Sequence, residues 1–156
     1  MSTRTELINN YLAGIETLKK AVAGMTPEQA KAKPVPGKWS TLECVCHLSD
    51  FEPIMADRMK RIITHPKPLL MGADENLFAQ QLSYQDRDLA EELANVEITR
   101  KQMAKILQKI PPDSWTRMGN HAERGLLTLE QMLQIATRHI PHHVQFILEK
   151  RKALGI

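Results

Sequence analysis

Three segments of this chain carry the same signal for the start of a helix. In each, a serine or threonine stands three residues before a glutamate or glutamine, at Thr3–Glu6, Ser40–Glu43 and Thr128–Gln131. Apolar residues then recur every three or four positions, which is the spacing of one helix face. The pattern predicts three long helices, at about residues 4–23, 41–64 and 129–153.

A fourth apolar stripe lies between the second and third of these helices. It begins near residues 86–89 and ends at Ile110, ahead of two prolines that stop a helix. Shorter helices are expected at about 26–29 and 75–81, and no segment reads as a convincing strand. The sequence therefore predicts an all-α fold, a four-helix bundle, in a single domain over residues 1–156.

Composition and charge exclude several classes of protein. The net charge is +3 with no dense run of lysine or arginine, so no nucleic-acid surface is expected. No apolar stretch approaches the ~18 residues of a membrane helix, and the N-terminus lacks the apolar core of a signal peptide. Cys44 and Cys46 stand on nearly opposite sides of a predicted helix and could not form a disulfide there. These features predict a cytoplasmic protein.

Two histidines near the C-terminus are placed to bind a metal ion. His139 and His143 are four residues apart in the last predicted helix, so they lie on one face about a turn apart. The same face carries four apolar residues, Leu129, Met132, Ala136 and Ile147. Because burying an unpaired polar group costs a few kcal/mol, histidines in line with a core stripe need a partner. A metal ion is the simplest partner, although Pro141 could kink the helix; structural histidines are the alternative.

A catalytic zinc-type site needs about three protein ligands, so a third must come from another helix. His47 is the best candidate, because it lies at the flank of the apolar stripe of the second long helix. An ordinary hydrogen-bonded histidine is the alternative. Asp50, three residues later, could orient a ligand imidazole or accept a proton from metal-bound water, or it could be a solvated carboxylate.

The remaining polar candidates have weaker predicted roles. His121 lies in a predicted loop that could fold over the mouth of the bundle, and His142 is expected at the surface or behind the ligands. Cys44 could be a soft ligand or a reactive thiol, but most free cysteines are small buried hydrophobes. His65, at a helix end, is expected to take no part in the chemistry. Structural ion pairs are expected for two arginines near apolar stripes, Arg58 and Arg100.

The order of these motifs resembles the DinB/YfiT-like superfamily. The run Trp39–Glu43 followed by His47–Asp50 is similar to the tryptophan-to-histidine stretch of that family. The run His139–His143 is similar to its C-terminal ligand helix, and Arg100 and Trp115 fit between the two. The resemblance covers nearly the whole chain.

This resemblance implies a bundle of up-down-down-up topology with a divalent metal held at one end by His47, His139 and His143. It also implies a homodimer. Characterised relatives include metal-dependent transferases that use low-molecular-weight thiols and isomerases of thiol conjugates. Many other relatives are called metal-dependent hydrolases without a known substrate.

The expected function is that of a small metalloenzyme acting on a small molecule, either a hydrolase or a thiol-dependent transferase. Asp50 is the candidate catalytic residue, and a low-molecular-weight thiol is one candidate substrate. Zn²⁺ or Ni²⁺ is expected as the metal, since imidazole ligands do not choose between them. The alternative is a non-enzymatic, stress-associated bundle that holds a metal or small ligand, because the sequence supplies no unambiguous nucleophile or acid–base pair.

Overall fold

The helix starts predicted from the sequence are formed by reciprocal hydrogen bonds. In the computed structural model, which describes residues 3–156, the Ser40 hydroxyl accepts a hydrogen bond from the Glu43 N–H at 3.1 Å. The Glu43 carboxylate in turn accepts one from the Ser40 N–H at 2.7 Å. The same reciprocal pair of hydrogen bonds, known as a capping box, forms at the helix starts at Thr3, Thr26 and Thr128. These bonds satisfy backbone donors that a helix would otherwise leave unpaired.

Residues 3–156 form four long helices and two short ones. Their bounds are α1 Arg4–Val22, α2 Pro27–Lys31, α3 Thr41–Thr64, α4 Glu75–Gln81, α5 Leu89–Leu107 and α6 Leu129–Leu154. Short 3-10 turns lie at Tyr84–Asp86 and Pro112–Thr116. The predicted helices are confirmed, except that α5 ends before Ile110, because the residues preceding the prolines form a turn.

The long helices form a four-helix bundle, as the sequence predicted. Helix α6 packs against both α1 and α3, and α5 packs against the same two helices, so α1 and α3 lie diagonally. The described residues form three apolar clusters in the core, and the two larger ones follow one another along the bundle axis. One contains Tyr11, Met59, Met103 and Leu129, and the other contains Leu18, Val45, Val96 and Ile140. No helix within residues 3–156 has the length and apolarity that a bilayer crossing requires.

The expectation of no strand was wrong for one small sheet. Strand β1 (Leu69–Leu70) pairs in parallel with β2 (Met118–His121), which pairs antiparallel with β3 (Gly125–Thr128). A Cβ at Gly119 would stand 2.9 Å from a methyl of Leu70, so this glycine lets β2 lie closely against its neighbours. Strands of two and four residues are too short to show the alternating pattern by which strands are recognised in a sequence.

Candidate metal centre

The three predicted ligand histidines meet at one point of the bundle. His47 comes from α3, and His139 and His143 come from α6. The Nε2 atoms of His47 and His139 are 3.0 Å apart, and the candidate ligand nitrogens of all three residues lie within 4.8 Å of one another. Pro141 lies inside α6 without ending it, so it does not separate the pair. The structure thus brings together all three residues singled out from the sequence.

This donor set fits a divalent metal ion. An ion bound at about 2.1 Å by tetrahedral ligands would hold the ligand nitrogens roughly 3.4 Å apart. The His47–His139 pair, at 3.0 Å, is slightly closer than that, and no pair exceeds 4.8 Å, so modest rotations of the imidazole rings would allow a shared ion. Side-chain exposure is 1% for His47 and 15% for His139, which faces the cavity described below.

Burial keeps two of the imidazoles in the neutral form that a metal requires. The pKa of His47 is lowered to about 3, first by burial and then by the neighbouring histidines. Burial, together with His47, the other neighbouring histidines and Lys150, lowers the pKa of His143 to about 2. A neutral imidazole offers a lone pair at once, so metal binding need not displace a proton from either ring.

A buried carboxylate orients His139. Glu52 Oε1 lies 3.3 Å from His139 Nδ1, so the Nδ1–H can donate to the carboxylate and leave the Nε2 lone pair facing His47. Glu52 is fully buried, and Arg100 donates to it through two nitrogens, at 2.9 and 2.7 Å. Burial alone would raise the pKa of Glu52, but the charge of Arg100 and the bond from His139 hold it below its usual range. The ion pair expected for Arg100 is therefore confirmed.

Asp50 does not occupy the position expected for it. Its two carboxylate oxygens accept hydrogen bonds from Arg87 at 2.9 Å each, and Arg87 also binds Glu92. Among the described residues it contacts none of the three histidines through a hydrogen bond. Asp50 and Glu52 are two residues apart on α3, so they point to different sides of the helix. Arg58 also departs from expectation, since it donates to the carbonyl of Met71 rather than to a carboxylate.

A cavity of about 520 Å³ opens onto the three histidines. Its apolar lining comes from three aromatic side chains, Trp39, Phe51 and Phe146. Its charged lining includes Lys38, Lys150 and, from α4, Glu75, whose carboxylate lies 3.8 Å from His47 Nε2. A neighbouring cavity of about 580 Å³ shares Phe51, Glu75 and His139 with the first. The histidine cluster therefore faces space for small molecules on both sides of His139.

The other polar candidates lie around this site. His142 is exposed and lines the first cavity, with its ring centroid 5.1 Å from that of His143. His121 lies at the end of β2, is 95% buried and lines the second cavity. Cys44 lines the first cavity, and burial raises the pKa of its thiol, so it is a protonated buried group. The His65 imidazole, just past the exposed end of α3, lies 2.7 Å from the Thr64 hydroxyl and away from the three histidines.

Sequence reasoning missed Glu52, Glu75 and Lys150. For Glu52 a signal existed, because a carboxylate in the stripe of α3 and a guanidinium in the stripe of α5 are candidates for a buried pair. Lys150 likewise falls near the apolar face of α6, three residues after Ile147. Glu75 gave no local signal, since only the packing of α4 over α3 brings it to His47.

Bacterial proteins with similar sequences have names that refer to metal-dependent hydrolysis. A protein of Oceanobacillus iheyensis named "Putative metal-dependent hydrolase" is 27% identical over 152 residues, which cover 94% of this chain and 88% of the relative. YfiT of Bacillus subtilis, with the same descriptive name, is 25% identical over 139 residues, covering 88% and 78% of the two chains.

Two solved structures share the fold. The structure of Bacillus subtilis YfiT, described as "a probable metal-dependent hydrolase with an unusual four-helix bundle topology", matches with a TM-score of 0.91 at 23% identity and covers 99% of this chain and 90% of that one. A second four-helix bundle protein, TT2238, matches with a TM-score of 0.66 at 20% identity, covering 92% and 97%. A family model described as the DinB superfamily matches residues 11–147, and the chain belongs to that superfamily.

Proposed function

We propose that this protein is a metal-dependent hydrolase of small molecules. The observation that carries the proposal is the convergence of three imidazoles, two of them held neutral by burial, on an open cavity. The descriptive names of the relatives from Oceanobacillus iheyensis and Bacillus subtilis support it. When bound, a divalent metal lowers the pKa of water and polarises a substrate oxygen.

The residues around the cavity have separate roles in binding the ion and the substrate. His47, His139 and His143 would hold the ion, and Glu52 fixes the ring orientation of His139 through the bond to Nδ1. Trp39, Phe51 and Phe146 give the cavity apolar walls, which exclude water from a bound substrate.

Glu75 replaces Asp50 as the candidate proton acceptor. It lines the cavity, and its carboxylate stands 3.8 Å from His47 Nε2, whereas both oxygens of Asp50 are bonded to Arg87. A general base must be within hydrogen-bond reach of the proton it removes, directly or through one water. Glu75 meets that requirement for a water or substrate group beside the histidines.

A thiol-dependent transferase is the second candidate, favoured by the two adjoining cavities. Cavities of about 520 and 580 Å³ share His139, Phe51 and Glu75. A transferase must place two substrates on either side of the reacting centre, and this arrangement offers room for both. One substrate would be a low-molecular-weight thiol, whose thiolate a metal stabilises.

Loading the purified protein with a metal and assaying two substrate panels tests the proposal. Zn²⁺ and Ni²⁺ should both be tried, because three imidazoles do not choose between them. Hydrolysis of activated esters or amides without added thiol supports the hydrolase, and turnover only with a thiol and an electrophile supports the transferase. Activity should be lost in His143→Ala, and Glu75→Gln should lower turnover while metal stays bound.

Two results would contradict the proposal. Failure of the wild-type protein to bind one divalent ion per chain would remove its basis. Tight metal binding without turnover in either panel would favour the non-enzymatic alternative, a bundle that stores an ion or small ligand.

A further inference from the structure

Lys150 is a buried cation without an anionic partner. Only 2% of the residue is exposed, and its ammonium donates a hydrogen bond to the carbonyl of Phe146 at 3.1 Å and interacts with the Cys44 thiol. No carboxylate within residues 3–156 forms an ion pair with it. Buried Arg100, by contrast, has the carboxylate of Glu52. Because an uncompensated buried charge is costly, an ammonium of this kind next to a cavity indicates that its counterion comes from a ligand.

A second ammonium lies at the same place. Lys38 and Lys150 both line the cavity in front of the histidines, with Nζ atoms 6.0 and 5.9 Å from the centroid of the Phe146 ring. Lys38 also forms no ion pair within the described part of the chain. We call Lys38, Phe146 and Lys150 the cationic end of the cavity. Two positive charges that line one cavity repel each other, and an anion bound in that cavity would relieve the repulsion.

None of the described residues supplies that anion. Cys44 also lines the cavity beside Lys150, but its thiol is protonated, since burial raises its pKa more than Lys150 lowers it. Glu75 lies against His47 and pairs with neither lysine. Within the described residues the cationic end therefore has two positive charges and no carboxylate of its own.

We propose that the cavity binds its substrate by a carboxylate, which the ammonium groups of Lys150 and Lys38 hold while the reacting end of the molecule lies at the three histidines. The proposal rests on the proposed function for the reacting end only. It names the substrate class as a small carboxylic acid. Lys150 is thereby a specificity-determining residue, and Lys38, which is exposed, closes over the same anion from the rim.

A matched pair of probes tests this inference. Isothermal titration of the zinc-loaded protein with 3-mercaptopropionate and with its neutral amide, 3-mercaptopropionamide, compares two ligands that differ only in the charged group. A charge-assisted hydrogen bond to a desolvated ammonium should make the acid bind at least about tenfold more tightly. The ratio should fall to near one in Lys150→Met, which keeps the side-chain volume, and should fall partly in Lys38→Met.

Controls separate this inference from the proposed function. Lys152→Met removes an exposed charge from the same helix and should leave the ratio unchanged. The titrations are repeated without metal, where the preference for the acid should persist because the lysines carry it. Zinc binding without a preference for the acid would overturn the inference and leave the metal site intact. A lysine-dependent preference for the acid in a protein that does not bind zinc would support the inference and contradict the proposed metal site.

Because Lys38 is exposed, its replacement provides a second test that does not depend on whether Lys150→Met folds. If Lys150→Met does not fold, as judged by its far-UV spectrum, Lys38→Met decides the question. A ratio in Lys38→Met equal to that of the wild type would then overturn the proposal.

Discussion

Replacing Glu52 by glutamine tests how the buried ion pair supports both the fold and the site. The change keeps the shape of the side chain and removes its charge. Arg100 would then remain fully buried, with only the carbonyl oxygens of Tyr11 and Ala136 and one amide oxygen as acceptors. His139 would lose the carboxylate that holds its Nδ1–H.

The expected loss of stability follows from the burial of the pair. Removing one partner of a buried ion pair costs ~3–5 kcal/mol, because the other charge stays buried without compensation. Glutamine still accepts one hydrogen bond, so the free energy of unfolding should fall by about 3 kcal/mol. In a chain of this length 1 kcal/mol corresponds to roughly 2–4 °C, which predicts a melting temperature lower by about 6–12 °C. Loss of the partner that orients His139 should weaken metal binding by about 10- to 100-fold.

Urea unfolding of the metal-free protein and chelator competition on the folded protein measure these two effects separately. Glu97→Gln is the matched control, because Glu97 accepts from Lys19 and Lys101 at the surface, where solvent and salt screen the charges. It should change the urea midpoint little and leave metal affinity unchanged. Equal midpoints for the two variants would refute the reasoning from burial.

Four further outcomes are expected. His143→Ala should lose most bound metal while keeping its helix content, whereas His65→Ala should change neither by elemental analysis and circular dichroism. In the metal-free protein the lowered pKa values of His47 and His143 mean that the unfolded chain binds more protons below pH ~6.5. Stability should therefore fall as the pH drops from 6.5 towards 3, by about 2 kcal/mol between pH 7 and 5.5 in urea titrations. Gly14→Ala should lower the melting temperature despite a better helix propensity, because the new Cβ would stand 2.5 Å from the Arg100 side chain. Finally, the family resemblance predicts a homodimer, which sedimentation at tens of micromolar would contradict by showing only monomer.

The parts of this structure that the sequence could predict are those encoded within a few residues. A capping box and an apolar stripe are local signals, so the starts of α1, α3 and α6 were predictable from the chain alone. The pair His139 and His143 was predictable for the same reason, since helical geometry alone puts the two on one face. His47 is 92 residues away from His139; its place at the flank of the apolar stripe made it a candidate, and the order of motifs supported that choice.

The errors arose where distant segments decide the outcome. Whether Asp50 or Glu52 reaches the histidines depends on how α3 is rotated against α6, which no local pattern specifies. Asp50 is bonded instead to Arg87, from the irregular segment ahead of α5. The sheet likewise depends on pairing Leu70 with His121, about a third of the chain away, between strands of two and four residues.

A polar layer across the bundle links these observations. Gly14, Glu52, Arg100 and His139 come from four different helices, and they lie between the two larger apolar clusters of the core. A buried ion pair contributes little net stability compared with apolar packing, so stability alone does not account for this layer. The pair does require one rotation of α3 relative to α5 and α6, since only then can Glu52 meet both Arg100 and His139. We infer that the layer sets the position at which His47 comes within 3.0 Å of His139. Unchanged metal affinity in folded Glu52→Gln protein would contradict this inference, even if the variant were strongly destabilised.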